Sequence, residues 1–412
     1  MNAAEKILSY ASDGAPAQAG REITVFPDLV ALYVYSWPSD SFDCIRTAEE
    51  CGTLHTENLR VFLDHRLPTK SVAQAEMQRE ASEYCMRHGI PCIWGTGIGH
   101  QLLIERGGVQ PGGVVVHHDA HALIAGAIGA LTITSQLDVI LALSEGHISL
   151  RVPETVRVDL DGCLERGVYG RDVFAHLMAT FGPELAEKSF LEFGGSGKLS
   201  MDSRATVCCL SPFLGAEGTV FEEDEIAQAY FKEQHMSAKI AVTADADAAY
   251  RRRVRVDLGA VRPMIACPPS PDRVYPISEL SGLEVYQGLI CSCAGSRLED
   301  LKAAAEVLRN KHVSSGFRLY VSPASSAVFH RACDLGYIQT LLDAGAFLCS
   351  PSCDFCSGKQ GILANGERGI TTGTLNAPGR MGNIQAEVYN ASAASVASAA
   401  LRGSIIDPRE CL

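Results

Sequence analysis

The chain has 412 residues, enough for two to four domains with cores of their own. Hydrophobic residues make up 47% and charged residues 20%, the balance of a soluble protein; no apolar run spans a bilayer and the N-terminus lacks a secretion-signal pattern, so the cytoplasm is the expected compartment. A net charge of −13 with no basic stripe argues against non-specific nucleic-acid binding, but a few local arginines could still hold an anionic substrate.

In chain order, Ala3–Tyr10 predicts a short amphipathic helix and 14–20 a turn-rich break. Glu22–Tyr35 is β-branched enough for one strand, which Ser36-Trp-Pro-Ser39 ends. Val61–His65 reads as a buried strand delivering Asp64 and His65, followed by a helix over Ser71–Gly89 with Gly89 as its stop. Gly97-Ile-Gly-His-Gln101 is a glycine-flanked turn carrying His100. Val114–His121 reads as a strand and polar loop with Asp119 and His121, and Ala122–Thr134 as a tightly packed helix. This rhythm predicts α/β layers with chemistry at strand ends.

Val152–Gly162 predicts a strand and turn opening a second domain, then helices at Asp172–Phe181, from Thr206 towards Ala216, and at Glu222–Gln234. Val261–Glu284, with five prolines, reads as a linker. Leu298–Leu308 carries a clear helical stripe, Ser296 and Glu299 suggest its capping box, and Phe317–Val321 suits a strand. The domain boundaries expected are 1–153, 154–262 and 263–412.

Fifteen cysteines in a chain without a secretion signal favour metal binding or buried thiols over a disulfide framework. Cys44, Cys85, Cys163 and Cys333 lie in helical or apolar patterns and read as core. Cys291-Ser-Cys293 and Cys353-Asp-Phe-Cys356 are different: two loops of one domain, both flanked by Gly and Ser. A CxxC can be a zinc site, a redox pair or two buried thiols, but no second CxxC or His pair follows. The paired loops lean towards an iron–sulfur cluster on Cys293, Cys353 and Cys356, in which three ligands to a four-iron cube leave one iron open. His65, His100 and His121, with Asp64 and Asp119 beside them, suit acid–base work; His117 and His118 extend the same loop.

These motifs together resemble the aconitase superfamily, specifically the large subunit of 3-isopropylmalate dehydratase and homoaconitase. Asp64-His65, Gly97-x-Gly-His-Gln101, Asp119-Ala-His121, Cys291-Ser-Cys-Ala-Gly-Ser-Arg297, Pro351-Ser-Cys-Asp-Phe-Cys-Ser-Gly358 and Gly379-Arg380 carry the match, which runs nearly end to end. The resemblance implies three α/β domains around a [4Fe–4S] cluster on Cys293, Cys353 and Cys356, without the swivelling fourth domain. It implies a hydro-lyase acting on a small hydroxy acid, with Asp64, His65, His100, Asp119 and His121 as catalytic residues. It also implies a separate small subunit that brings a serine base.

Some family positions are changed. The family's Asn and Glu in Cys-Asn-Met-x-x-Glu become Cys209 and Phe213, so His121 loses the carboxylate that orients it in the family. Asn-Arg-Asn-Phe becomes Thr374-Leu-Asn-Ala377, which puts Leu375 in place of a substrate-binding Arg. The Ser of Asp-Ser-His is Ala120, and an early His-Asp pair is Tyr33-Val34. The expectation is a dehydratase or isomerase with altered specificity, using Arg380 and Arg297, with Lys359, for the remaining carboxylate. Ordinary 3-isopropylmalate or homoaconitate dehydratase activity is one alternative; a non-catalytic cluster-bearing sensor or scaffold is another. The extra thiols Cys208, Cys209 and Cys291 raise a further option of sulfur or second-metal chemistry.

Overall fold

The computed structural model describes residues 1–35 and 41–412. The break expected at Ser36–Ser39 lies outside the described residues.

Three main sheets follow one another along the chain. In the first, all strands are parallel and their spatial order is 92–94, 59–63, 29–33, 114–117 and 131–134. The chain winds outward one way from 29–33 and the other way from 114–117. The gap between those two strands is therefore where the sheet's carboxyl edge opens into a crevice. Tyr35 and Asp119 leave the sheet at this point.

The second sheet is also fully parallel, in the order 216–221, 189–195, 154–161 and 252–257. The third has seven strands. Strands 387–391, 368–371, 287–290, 318–321 and 347–348 run parallel, and 264–266 and 274–276 are added antiparallel at one edge. Its winding direction reverses between 287–290 and 368–371, and Cys291–Cys293 and Thr372–Thr374 emerge there.

Several expectations from the sequence are corrected here. Residues 22–35 form two strands: 22–25 pairs antiparallel with 148–151, and 29–33 enters the first sheet. Pro27, which lacks the N–H that a continuous ladder needs, lies between them. Ala122–Thr134 is no single helix; a 3-10 run over Ala120–Ile128 stops at Gly129, left-handed at φ 72°, and 131–134 is a strand. The helix begins before Thr206, at Met201, and ends at Leu210, where Pro212 follows. Part of the expected linker 261–284 is the antiparallel edge of the third sheet. The helix Leu298–Leu308 is as expected, but Arg297 is its N-cap residue and its N–H donates to Asp300 Oδ2 at 3.0 Å. Cys44 and Cys85 are buried, whereas Cys163 and Cys333 are exposed.

The first and third sheets are joined by main chain. Ile98 N–H donates to the Ala324 carbonyl at 2.9 Å, Ser326 N–H to Thr96 O at 2.7 Å, and Cys353 N–H to Asp64 O at 3.3 Å. Helix Met201–Leu210 lies against both, through Cys209 O to His121 Nδ1 at 2.9 Å on one side and Arg297 Nη2 to Thr206 Oγ1 at 2.6 Å and the Cys209–Cys293 contact on the other. One contiguous core holds Phe62 and Leu103 of the first unit, Phe193 and Leu210 of the second, and Cys293 and Cys353 of the third. Among the described residues no helix is long and apolar enough to cross a membrane.

Gly99 opens the helix Gly99–Arg106, and a Cβ there would meet Tyr33 Cδ1 at 2.6 Å and Phe62 Cβ at 2.9 Å. Both rings are fully buried, so they have little room to yield. Gly99→Ala should cost about 1–3 kcal/mol by overpacking, read as a lowered melting temperature, although alanine is the better helix former.

Candidate active site

The carboxyl ends of the first and third sheets face one cavity of about 370 Å³. Cys293, Cys353 and Cys356 line it, together with His65, His100, Asp119, His121, Arg380, Lys359 and Leu375. Of the residues expected from the sequence, Asp64 stands just behind His65, and Arg297, His117 and His118 do not line the cavity.

Strand 59–63 delivers Asp64, whose buried carboxylate accepts from Gly99 N–H at 2.7 Å and sits 2.7 Å from His65 Nδ1. It thereby fixes the imidazole and the turn carrying His100 together. Burial pulls His65 down, but the Asp64 carboxylate outweighs it and the net shift is upwards. His100 sits in the first turn of its helix, stacked on Tyr33 with ring centroids 4.3 Å apart. Its Nε2 lies 3.0 Å from Asp119 Oδ1, within ion-pair distance but not aligned as a hydrogen bond, and neither ring nitrogen has a hydrogen-bond partner. Burial, and then the neighbouring His121, holds its pKa well below the usual imidazole value, so His100 is neutral. Asp119 also accepts from His121 N–H at 2.8 Å and from the Tyr35 hydroxyl.

The third histidine differs. Phe213 stands beside His121, with centroids 5.9 Å apart, and supplies no carboxylate. The His121 Nδ1 hydrogen-bonds instead to the Cys209 carbonyl at 2.9 Å. The substituted residue itself, Cys209, places its Sγ 3.4 Å from Cys293 Sγ. His117 is fully buried against Thr134 and does not face the cavity.

Cations surround the thiols. Arg380 Nη2 donates to Cys356 Sγ at 3.5 Å, and Thr374 N–H lies 3.4 Å from the same sulfur. Burial pushes the Cys356 thiol up, but Arg380 and Thr374 outweigh it and the net shift is downwards, favouring thiolate. Arg171 is buried with Nη2 on the carbonyls of Thr372 (2.5 Å) and Gly373 (2.9 Å). Arg297 is almost fully buried; it donates to the Cys293 carbonyl and, from Nη2, to Thr206 Oγ1. Its side chain holds the Cys293 loop and does not line the cavity.

The residues present fit a metal cluster. Three thiols face one space, the Arg380 Nε is buried without a partner, and both His100 nitrogens are likewise orphaned. Among the described residues the compact single-ion set is Asp64, His65 and Cys353, within 4.8 Å of one another; Cys293, Cys353 and Cys356 are spread wider than that. A wider spread suits ligands to different irons of one cube better than ligands to one tetrahedral ion.

Sequence reasoning passed over Tyr35, Arg66 and Asp354. Tyr35 hydrogen-bonds Asp119 and packs edge-on to His65, with centroids 4.4 Å apart. Arg66 has a left-handed backbone, φ 58°, held by its N–H to Asp354 Oδ1 at 2.8 Å. Their signal was weak: Arg66 follows the Asp64-His65 pair, Asp354 is a spacer inside Cys353-Asp-Phe-Cys356, and Tyr35 matched no motif.

The α/β scaffold thus brings three thiols and two His–carboxylate pairs to one cavity at the carboxyl edges of its sheets. The chain matches the profile of the Aconitase family (aconitate hydratase) over residues 38–284 and 278–403, and it belongs to that family. It is 36% identical to 3-isopropylmalate dehydratase large subunit 1 of Methanopyrus kandleri, covering 99% of each chain. It is 37% identical to 3-isopropylmalate dehydratase large subunit 2 of Archaeoglobus fulgidus, again over 99% of each. Identity to the homoaconitase large subunit of Thermus thermophilus is 36%, over 99% of this chain and 97% of the other. The crystal structure of Thermococcus kodakaraensis aconitase X in its holo-form superposes with a TM-score of 0.53 over 85% of this chain and 84% of that one, at 15% identity, a likeness of fold.

In the iron-free chain, His65 should titrate above the free imidazole value of about 6.5. Asp64→Asn should move that midpoint down, read by histidine NMR. Because the folded value is the higher one, the pair's stabilisation is complete below the unfolded pKa and is lost as pH rises through the folded pKa.

Proposed function

We propose that this chain is the large subunit of a hydro-lyase that dehydrates and rehydrates a small hydroxy acid, with a [4Fe–4S] cluster held by Cys293, Cys353 and Cys356. The observation that carries the reading is the single cavity in which three thiols meet two His–carboxylate pairs and a cationic wall. When bound, the cluster supplies an open iron as Lewis acid for substrate oxygen. Arg380, with Lys359 at the rim, binds a substrate carboxylate, and Arg380 Nε is the free donor for it. Dehydration removes hydroxyl from one carbon and a proton from its neighbour. His65, raised towards its charged form by Asp64, protonates the departing oxygen, while neutral His100, held by stacking on Tyr33, donates a hydrogen bond. The carbon-bound proton is left for a base on a separate small subunit, as the names of the large-subunit relatives support.

Leu375 lines the cavity where the family places a carboxylate-binding Arg. We infer a substrate with one carboxylate fewer at that end and an apolar group facing Leu375 and Tyr35. The second reading, ordinary 3-isopropylmalate or homoaconitate turnover, draws support from the 36–37% identity to proteins bearing those names.

The test is turnover by the anaerobically purified chain with a small subunit, comparing 3-isopropylmalate with monocarboxylic hydroxy acids. The altered-specificity reading expects preference for the latter; family-like rates on 3-isopropylmalate would establish the second reading instead. Arg380→Lys should raise KM roughly tenfold or more, as expected for a lost charged hydrogen bond of about 1.5–3 kcal/mol. Leu375→Arg should shift preference towards the dicarboxylic acid. Absence of any turnover with the cluster intact would contradict the hydro-lyase assignment.

A further inference from the structure

Cys209 is buried on the last turn of helix Met201–Leu210, and its sulfur touches that of the cluster ligand Cys293 at 3.4 Å. The other extra thiols are placed differently. Cys291 Sγ contacts Thr371 Oγ1 at 3.7 Å, and Cys208 is buried one position along the helix, facing another way. A disulfide bond is about 2.05 Å long, so closing the Cys209–Cys293 gap needs about 1.4 Å of sulfur movement, within reach of side-chain rotation. Cys293 lines the open cavity, so a small oxidant reaches it, while Cys209 waits behind as a resolving thiol.

We propose that Cys209 and Cys293 are an oxidative modification site: when the cluster is absent, a peroxide links them and takes one ligand out of the cluster set. Hydrogen peroxide oxidises the Cys293 thiol to a sulfenic acid, with release of one water. The Cys209 sulfur then attacks the sulfenic sulfur, forming the S–S bond and expelling a second water. Two thiols lose two electrons in total and peroxide gains them. A dithiol reductant reverses the bond and returns Cys293 to the ligand set. Bond formation itself is independent of the proposed hydro-lyase function; only its consequence for cluster rebuilding rests on that reading.

The full chain, stripped of iron by a chelator, is treated with hydrogen peroxide, alkylated and digested with trypsin. Cleavage after Arg204, Lys232, Arg273 and Arg297 puts Cys209 and Cys293 on separate peptides, 205–232 and 274–297. The expected product is these two joined, lighter by two hydrogens than their sum, with a loss of two titratable thiols that dithiothreitol restores. Fragmentation should place the bond at Cys209 and Cys293, and it should persist in Cys208→Ser and Cys291→Ser but vanish in Cys209→Ser. Iron and sulfide uptake after oxidation should be blocked in the parent chain until reduction, and should proceed in Cys209→Ser. Sulfinic acid on Cys293 without linked peptide, or Cys293 joined to Cys353 or Cys356, would overturn the proposal. A linked peptide that leaves cluster rebuilding unaffected would preserve the bond but remove Cys293 from the ligand set, and with it the cluster reading.

Discussion

The site depends on how buried charge is balanced around three thiols. Thiolates in a water-poor core are costly unless cations or N–H donors face them. Here three arginines are gathered: Arg380 on Cys356, Arg297 on the carbonyl of Cys293, and Arg171 behind the Thr372–Gly373 turn. Among the described residues, neither Arg171 nor Arg380 has a carboxylate ion-pair partner, and each keeps a buried Nε without an acceptor. Of the two, Arg380 lines the cavity beside the thiols, while Arg171 stands behind it. The first and third sheets matter to the site because the carboxyl edge of one carries the histidines and that of the other the thiols and Arg380.

The same logic explains the altered third histidine. A glutamate at Phe213 would add negative charge beside His121; here the neutral carbonyl of Cys209 orients the ring. The ring is thus oriented by main chain, while the side chain at 209 places a second sulfur next to Cys293. Phe213 beside His121 and Leu375 in the cavity wall bring no charge to the site. Beside them, His65 Nδ1 stands 2.7 Å from Asp64 and His100 Nε2 3.0 Å from Asp119.

Much of this was legible in the sequence where local chemistry dictates structure. The Leu298–Leu308 stripe gave its helix to the residue, and Asp64 and His65 do follow a buried strand. The turn expected to carry His100 is instead the first turn of helix Gly99–Arg106, where a Cβ at Gly99 would press on Tyr33 and Phe62. Errors arose where tertiary contacts override propensity. Residues 120–134 read as one helix because small apolar residues suit either state, yet the Gly129 stop releases a strand into the sheet. The proline-rich stretch after Val261 read as a linker although an antiparallel edge tolerates prolines. In the site, Arg297 read as a substrate ligand; its burial and its bonds to Cys293 and Thr206 are long-range facts that no local motif encodes. The Cys209–Cys293 contact spans 84 positions and was likewise visible only as an excess of thiols.

The most direct measurement is iron and sulfide content, with electron paramagnetic resonance, on the chain purified without air, before and after adding hydroxy acids. The account predicts four irons and four sulfides per chain and a spectrum that changes when one such acid binds at the open iron. Zinc in place of iron, or a four-iron cluster whose spectrum responds to no acid even with a small subunit present, would contradict it.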